Sequence, residues 1–156
     1  MMLRIVFLLF TTFCFSQSNK AYSKTYYESQ VLKSEGWIEN GKKNGYWYFY
    51  FENENIDSKG DYVNDLKNGY WFYYGTDGKL LKEGHYVNNQ KTAWWILYVG
   101  DHTTIKIQYE NNMREGYALL YKNGNLYKAE KYSKDTLTGS WTSLKSFKKQ
   151  NPDAFF

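Results

Sequence analysis

Apolar residues in this chain come in short aromatic runs that return at a fixed interval. Gly45-Tyr46-Trp47-Tyr48-Phe49-Tyr50 is repeated as Gly69-Tyr70-Trp71-Phe72-Tyr73-Tyr74 and as Ala93-Trp94-Trp95-Ile96-Leu97-Tyr98. A decayed copy follows at Gly116-Tyr117-Ala118-Leu119-Leu120-Tyr121, and a remnant at Gly139-Ser140-Trp141. The leading small residue stands at 45, 69, 93, 116 and 139, in steps of 24, 24, 23 and 23. A period in the twenties marks a repeat architecture. Between the runs lie mixed segments. In these, Glu35, Lys59, Glu83, Lys106 and Lys131 fall on one side, and Ile38, Tyr62, Tyr86, Tyr109 and Tyr132 on the other. That alternation is the period of a half-buried strand. The aromatic runs are apolar at nearly every position, so periodicity leaves two registers open. Either Trp47 or Tyr46 shares a face with Ile38, and a slip of one residue decides which.

Turn chemistry separates the segments. One set of tips runs through 40–44, 64–68, 88–92, 111–115 and 133–138, the opposite set through 52–55, 76–79, 99–102 and 122–125. Asp77-Gly78 and Asn123-Gly124 are strong hairpin signals. The pattern predicts an all-β chain: an antiparallel meander of about ten short strands in a single-layer repeat sheet, with no helix before residue 142. A glycine column (Gly36, Gly60, Gly84) runs beside the Trp47, Trp71 and Trp95 column, which predicts rings stacked along one face and covering the glycines. The expected organisation is a signal peptide at 1–16, a leader at 17–25, the repeat domain at 26–144 and a tail at 145–156.

The signal peptide is read from Arg4, an apolar stretch from Ile5 to Phe15, and small residues Cys14 and Ser16 before a cut at Gln17. It implies export to the periplasm, the cell envelope or the medium. The alternatives are a lipid anchor on Cys14 and an uncleaved tether. Cys14 is the chain's only cysteine, so the mature protein has no disulfide or thiolate metal site. Net charge is +4, falling to +3 without Arg4, and is evenly mixed, which argues against a nucleic-acid partner. The anomaly is the ring content: 6 Trp, 17 Tyr and 10 Phe.

The unit tip-Gly-Tyr-Trp-x-x-Tyr, turn, x-Gly-x-Tyr resembles the MORN repeat, and in particular the bacterial MORN-variant proteins often labelled antitoxin components of toxin–antitoxin systems. The residues that carry the resemblance are Asn40 to Trp47, Asp65 to Trp71, and Tyr74 to Gly84, and it covers roughly residues 26–141. It implies a repeat sheet that serves as an interaction or membrane-associated module.

No catalytic, cofactor-binding or metal-binding residue is assigned. His85 and His102 lie in different copies and read as surface histidines. The acidic tips 52–57 and 77–78 lack the ligand spacing of a calcium loop and read as turns. No nucleophile-elbow, phosphate-loop or zinc-helix signature occurs, and an enzyme is not expected. The candidate binding face is Tyr46, Tyr48, Tyr50, Tyr70, Phe72, Tyr74, Trp94 and Tyr98, with Trp47, Trp71 and Trp95 as the stacked column. The first reading is an exported protein-binding or scaffold module, using this face or an open sheet edge. The alternatives are a glycan- or envelope-binding module and an immunity or antitoxin-like partner of an effector. Lys42, Lys43, Lys67 and Lys91 along one set of tips suggest peripheral contact with anionic membranes, against the plainer reading of solvated loop charges.

Overall fold

The structure, a computed structural model, describes residues 19–100 and 102–154. The proposed signal peptide lies outside them. Eleven strands follow one another in chain order: β1 Lys20–Tyr26, β2 Leu32–Glu39, β3 Lys42–Tyr50, β4 Ile56–Val63, β5 Leu66–Tyr74, β6 Leu80–Val87, β7 Gln90–Val99, β8 Thr103–Glu110, β9 Met113–Lys122, β10 Asn125–Ser133 and β11 Thr136–Trp141. A short helix, α1, spans Leu144–Gln150. Every strand pairs antiparallel with its chain neighbour in a single open sheet, so the predicted meander is the fold. The eleventh strand comes from the stretch read as a leader, where Lys20–Tyr26 pairs with β2.

One set of tips is shorter than the five-residue stretches expected, and the residues so released extend the strands. Asn64-Asp65, Asn88-Asn89 and Asn111-Asn112 are two-residue turns with both φ positive, as are Asn40-Gly41 and Asn123-Gly124. This is the backbone of the tight hairpin turn whose twist matches that of the strands. Where the second turn residue is Asp or Asn, its side chain also ties neighbouring hairpins together. The carboxylate of Asp65 accepts from the Lys43 amide at 2.8 Å, and the Asn89 side-chain carbonyl accepts from the Lys67 amide at 2.6 Å. Asn112 and Asp135 do the same for Lys91 and Arg114. Lys43, Lys67 and Lys91 are therefore the second residues of β3, β5 and β7 and do not lie in loops.

The leading small residue of each run is also explained by backbone geometry. Gly45, Gly69, Ala93 and Gly116 all have positive φ, between 56° and 98°. Each opens a bulge: Asp61 pairs with Asn68, while Gly60 pairs with Trp71. Two residues are skipped, so side-chain parity is kept, and bulges add twist.

The register is thereby fixed. Gly36, Trp47, Gly60, Trp71, Gly84, Trp95, Ile107 and Ala118 are consecutive cross-strand partners on what we term face 1. Ile38 packs against the Trp47, Tyr62 and Trp71 cluster, so it is Trp47 that shares its face. Trp47, Trp71 and Trp95 are 2 %, 0 % and 1 % exposed and form the core of the repeats. Each indole lies on a glycine: a Cβ on Gly60 would stand 2.5 Å from the Trp71 ring. The tryptophans do not stack on one another. Tyr62 and Tyr86 alternate with them edge-on, at centroid distances of 5.1 Å for Tyr62–Trp71 and 5.0 Å for Tyr86–Trp95. The indole N–H groups of Trp47, Trp71 and Trp95 donate to the carbonyls of Trp37, Asp61 and His85, beside the bulges.

Candidate interaction surface

The other face carries the predicted binding residues. Their register places Tyr46, Tyr48 and Tyr50 of β3, Tyr70, Phe72 and Tyr74 of β5, and Trp94 and Tyr98 of β7 together on face 2, all half-buried. Within β3 and β5 they shield one another: Tyr46 lies against Tyr48 at 5.2 Å and Tyr70 against Phe72 at 5.0 Å.

The mixed strands contribute charges between these rings. Along one cross-strand row of face 2 stand Glu35, Tyr48, Lys59, Phe72, Glu83, Ile96 and Lys106, continuing into Leu119 and Ala129. Charge alternates in sign from one mixed strand to the next. The column predicted to end at Lys131 ends at Ala129, because Lys131 pairs with Tyr117, one position along. Each charge is tied to a ring. The Tyr50 hydroxyl donates to Glu35 at 2.8 Å and that of Tyr98 donates to Glu83 at 2.7 Å. Lys59 lies over Phe72 and Tyr74, and Lys106 over Tyr121. The hydrogen bond from Tyr50 holds the Glu35 carboxyl below its ordinary range, against the effect of burial and with help from Lys24 at 3.1 Å. Burial, followed by the bond to Glu83, pushes the Tyr98 phenol up to about 12.

The C-terminal end of this face is already covered. Ser143 caps α1, and Phe147, 1 % exposed, packs on Leu119 and Ala129. Tyr117 and Trp141 meet the Phe147 ring edge-on at 5.5 and 5.2 Å. By its position in the repeat Trp141 belongs to the tryptophan column of face 1, yet it pairs with Ala129 on face 2. The cause is a missing residue of bulge. Tyr132 pairs with Leu137 and Lys131 with Gly139, so only one residue is skipped and parity flips. Beside α1 a hollow of about 260 Å³ is lined by Trp94, Ile96, Lys106, Leu119 and Tyr121. Ile96, Leu119 and Phe147 had no place in the sequence-predicted site, which followed rings within strands and ignored cross-strand rows.

Face 1 offers less. Lys43, Lys67 and Lys91 are not solvated tip charges: they lie over Trp47, Trp71 and Trp95, at 4.9, 4.3 and 4.8 Å from the ring centroids. Burial holds the Lys67 and Lys91 ammonium groups below their usual range. Lys42 alone of the four is exposed. His85 sits on face 2 against Tyr70, and His102 beside the β7–β8 turn, so the structure does not bring them together. In the acidic tips, the Asn53 and Asn55 side chains donate to the Thr76 carbonyl, stitching adjacent turns. Among the described residues no group of three or more His, Cys, Asp or Glu side chains is placed to share a metal ion, and no helix is long and apolar enough to cross a membrane. No family model matches the chain, and no curated protein matches it.

Proposed function

We propose that the chain is an exported MORN-variant repeat protein that acts as a protein-binding or scaffold module, with face 2 as its binding surface. One observation carries this reading. Across β3, β5 and β7 the sheet presents rows of half-buried rings that no second layer covers among the described residues, while the chain covers the same face at its C-terminal end with α1. Broad aromatic surfaces of this kind mark interaction sites, and phenols tolerate being half-wet. The test is a photo-crosslinking phenylalanine analogue at Tyr48 or Phe72, with one at the exposed hairpin residue Val63 as control. Defined protein adducts from the first two positions and none from Val63 are expected. The same weak smear from all three positions overturns the reading.

A glycan is the second reading, favoured by the hollow beside Trp94, whose indole is open to one side. Its probe is Trp94→Ala, with intrinsic fluorescence followed during titration with envelope polysaccharide. Trp71 cannot serve, because it is the core of the sheet. An immunity or antitoxin-like role rests on the MORN-variant resemblance alone.

A further inference from the structure

The charges of face 2 select a partner. Between β2 and β8 they run Glu35, Lys59, Glu83, Lys106, each two strands from the next, or about 9.6 Å apart at the usual strand spacing. A row of four charges in strict alternation is antisymmetric about its midpoint, and Phe72 stands at that midpoint. A two-fold axis through Phe72 therefore lays Glu35 of one copy opposite Lys106 of another, and Lys59 opposite Glu83, while Tyr48 meets Ile96 and Phe72 meets its own image. An asymmetric partner has no reason to find this order, whereas a second copy matches it without further adjustment, as a self-complementary isologous interface requires.

We infer that face 2, from β2 to β8, is a face-to-face interface with a second copy of this chain, in which Lys59 of each copy pairs with Glu83 of the other around Phe72. This rests on the reading of face 2 as the binding surface and names its occupant. Three further observations agree with it. First, where the chain covers face 2 itself, the alternation stops: the row continues as Leu119 and Ala129, and Phe147 fills the space a charge would occupy. Charge is retained only on the stretch that α1 leaves open. Second, the size suffices. Seven strands about 4.8 Å apart and roughly 20 Å long give a footprint of roughly 600 Å² per copy, about 1,200 Å² in total, which reaches the lower edge of stable interfaces. Third, two sheets packed about 10 Å apart supply the second layer that a lone sheet lacks. The existing bonds of these charges are compatible with the pairing. Glu83 accepts from the Tyr98 hydroxyl and also faces the Tyr70 phenol, and Lys59 lies over the rings of Phe72 and Tyr74, within the same layer. On β1 the row continues with Lys24, the cross-strand partner of Glu35, which binds its carboxylate at 3.1 Å, so the antisymmetric stretch ends at β2 and the outer pairs contribute less than the inner ones.

The experiment is sedimentation equilibrium on the protein expressed from the full chain and purified as the cell delivers it. The wild type is expected to be a dimer at micromolar concentration. Lys59→Glu or Glu83→Lys alone sets like charges opposite each other twice, and each should weaken association at least tenfold. An equimolar mixture of the two variants, or the double variant, restores both pairs and should restore the dimer. A Phe72→Cys, Cys14→Ser chain should cross-link to itself through position 72. A monomeric wild type, a dimer indifferent to both reversals, or a dimer that does not cross-link at 72 overturns the inference. A monomer whose Tyr48 and Phe72 crosslinkers still capture another protein leaves face 2 as a binding surface and removes only the second copy. A monomer that captures nothing removes both.

Discussion

The smallest unit of this fold is an indole lying on a glycine under a lysine. Trp71 rests on Gly60, donates its N–H to the Asp61 carbonyl at 3.0 Å and lies under Lys67, and Trp47 and Trp95 repeat the arrangement. Gly60→Ala forces the ring off its seat and should cost about 1–3 kcal/mol, whereas Trp71→Ala empties the site and should cost about 3–5 kcal/mol. The glycines of the other column act through backbone conformation. Ala93 holds φ at 56° where the other copies have glycine. Left-handed φ costs an L-residue roughly 1–2 kcal/mol, partly offset by the greater freedom of glycine in the unfolded chain, so Ala93→Gly should stabilise by about 0.5 kcal/mol. Gly69→Ala should do the opposite, and urea denaturation of the four variants checks the order. The phenols give a pH dependence of definite sign. Burial raises Tyr62 to about 12, as burial and Glu83 raise Tyr98. Both groups stay protonated in the folded protein above pH 10, where the unfolded chain releases its protons. Stability is therefore fully present below pH 10 and falls as pH rises towards 12. Lys67 and Lys91, shifted down by burial, work against this, because the folded state loses their protons first and gains stability between their lowered values and 10.5. The tyrosines outnumber them, with Tyr50 and Tyr73 shifted upward as well. Tyrosinate absorbance should consequently rise together with loss of the sheet's circular dichroism. Smooth ionisation near pH 10 in an intact sheet contradicts the assignment.

At the scale of elements, the hairpins were legible because each depends on local rules. Aromatic runs without proline gave the strands, and Asn-rich tips gave the turns. What escaped was parity at bulges. One residue fewer at the start of β11 moved Trp141 from the face its copies occupy to the opposite one, and no periodicity count registers that. The candidate site was legible in its rings, which follow from strand alternation. Its row of alternating charges was present in the sequence column but acquired meaning only once Tyr48, Phe72 and Ile96 were placed between its members. The tail was opaque because seven residues with one buried aromatic carry little signal. Its docking depends on Ala129, the one small residue in a column otherwise charged. Ala129→Glu restores the pattern of the other copies and should expel α1, since a carboxylate beneath Phe147 has no partner there. Limited proteolysis measures this: cleavage after Lys145, Lys148 or Lys149 should become rapid, while the β2–β8 hairpins stay resistant. Equal resistance of variant and wild type contradicts this account of the docking.

Across the whole molecule, one sheet carries two cores on opposite faces. From β2 to β8 the buried rings lie on face 1, linked through Trp47, Tyr62, Trp71, Tyr86, Trp95 and Tyr109. From β9 onward the aromatic ladder ends at Ala118, and burial passes to Leu119, Ala129 and Phe147 on face 2. In a linear repeat each hairpin is stabilised only by its neighbours, so stability sums along the chain and can be lost piecewise. The two cores lie on opposite faces and meet at β8 and β9, joined by the backbone ladder, by Lys106 over Tyr121 and by Trp94 against the Leu119 cluster, so cooperativity along the sheet is tested at that junction. Hydrogen exchange resolves this. Phe147→Ala should lower protection in β9, β10 and β11 by the free energy of that core, about 3 kcal/mol or more, and leave β3–β6 as in the wild type. Trp71→Ala should do the reverse, stripping β4–β6 and sparing the C-terminal strands. If either substitution lowers protection uniformly from β2 to β11, the sheet is a single cooperative unit and the change of face at β9 is not a boundary.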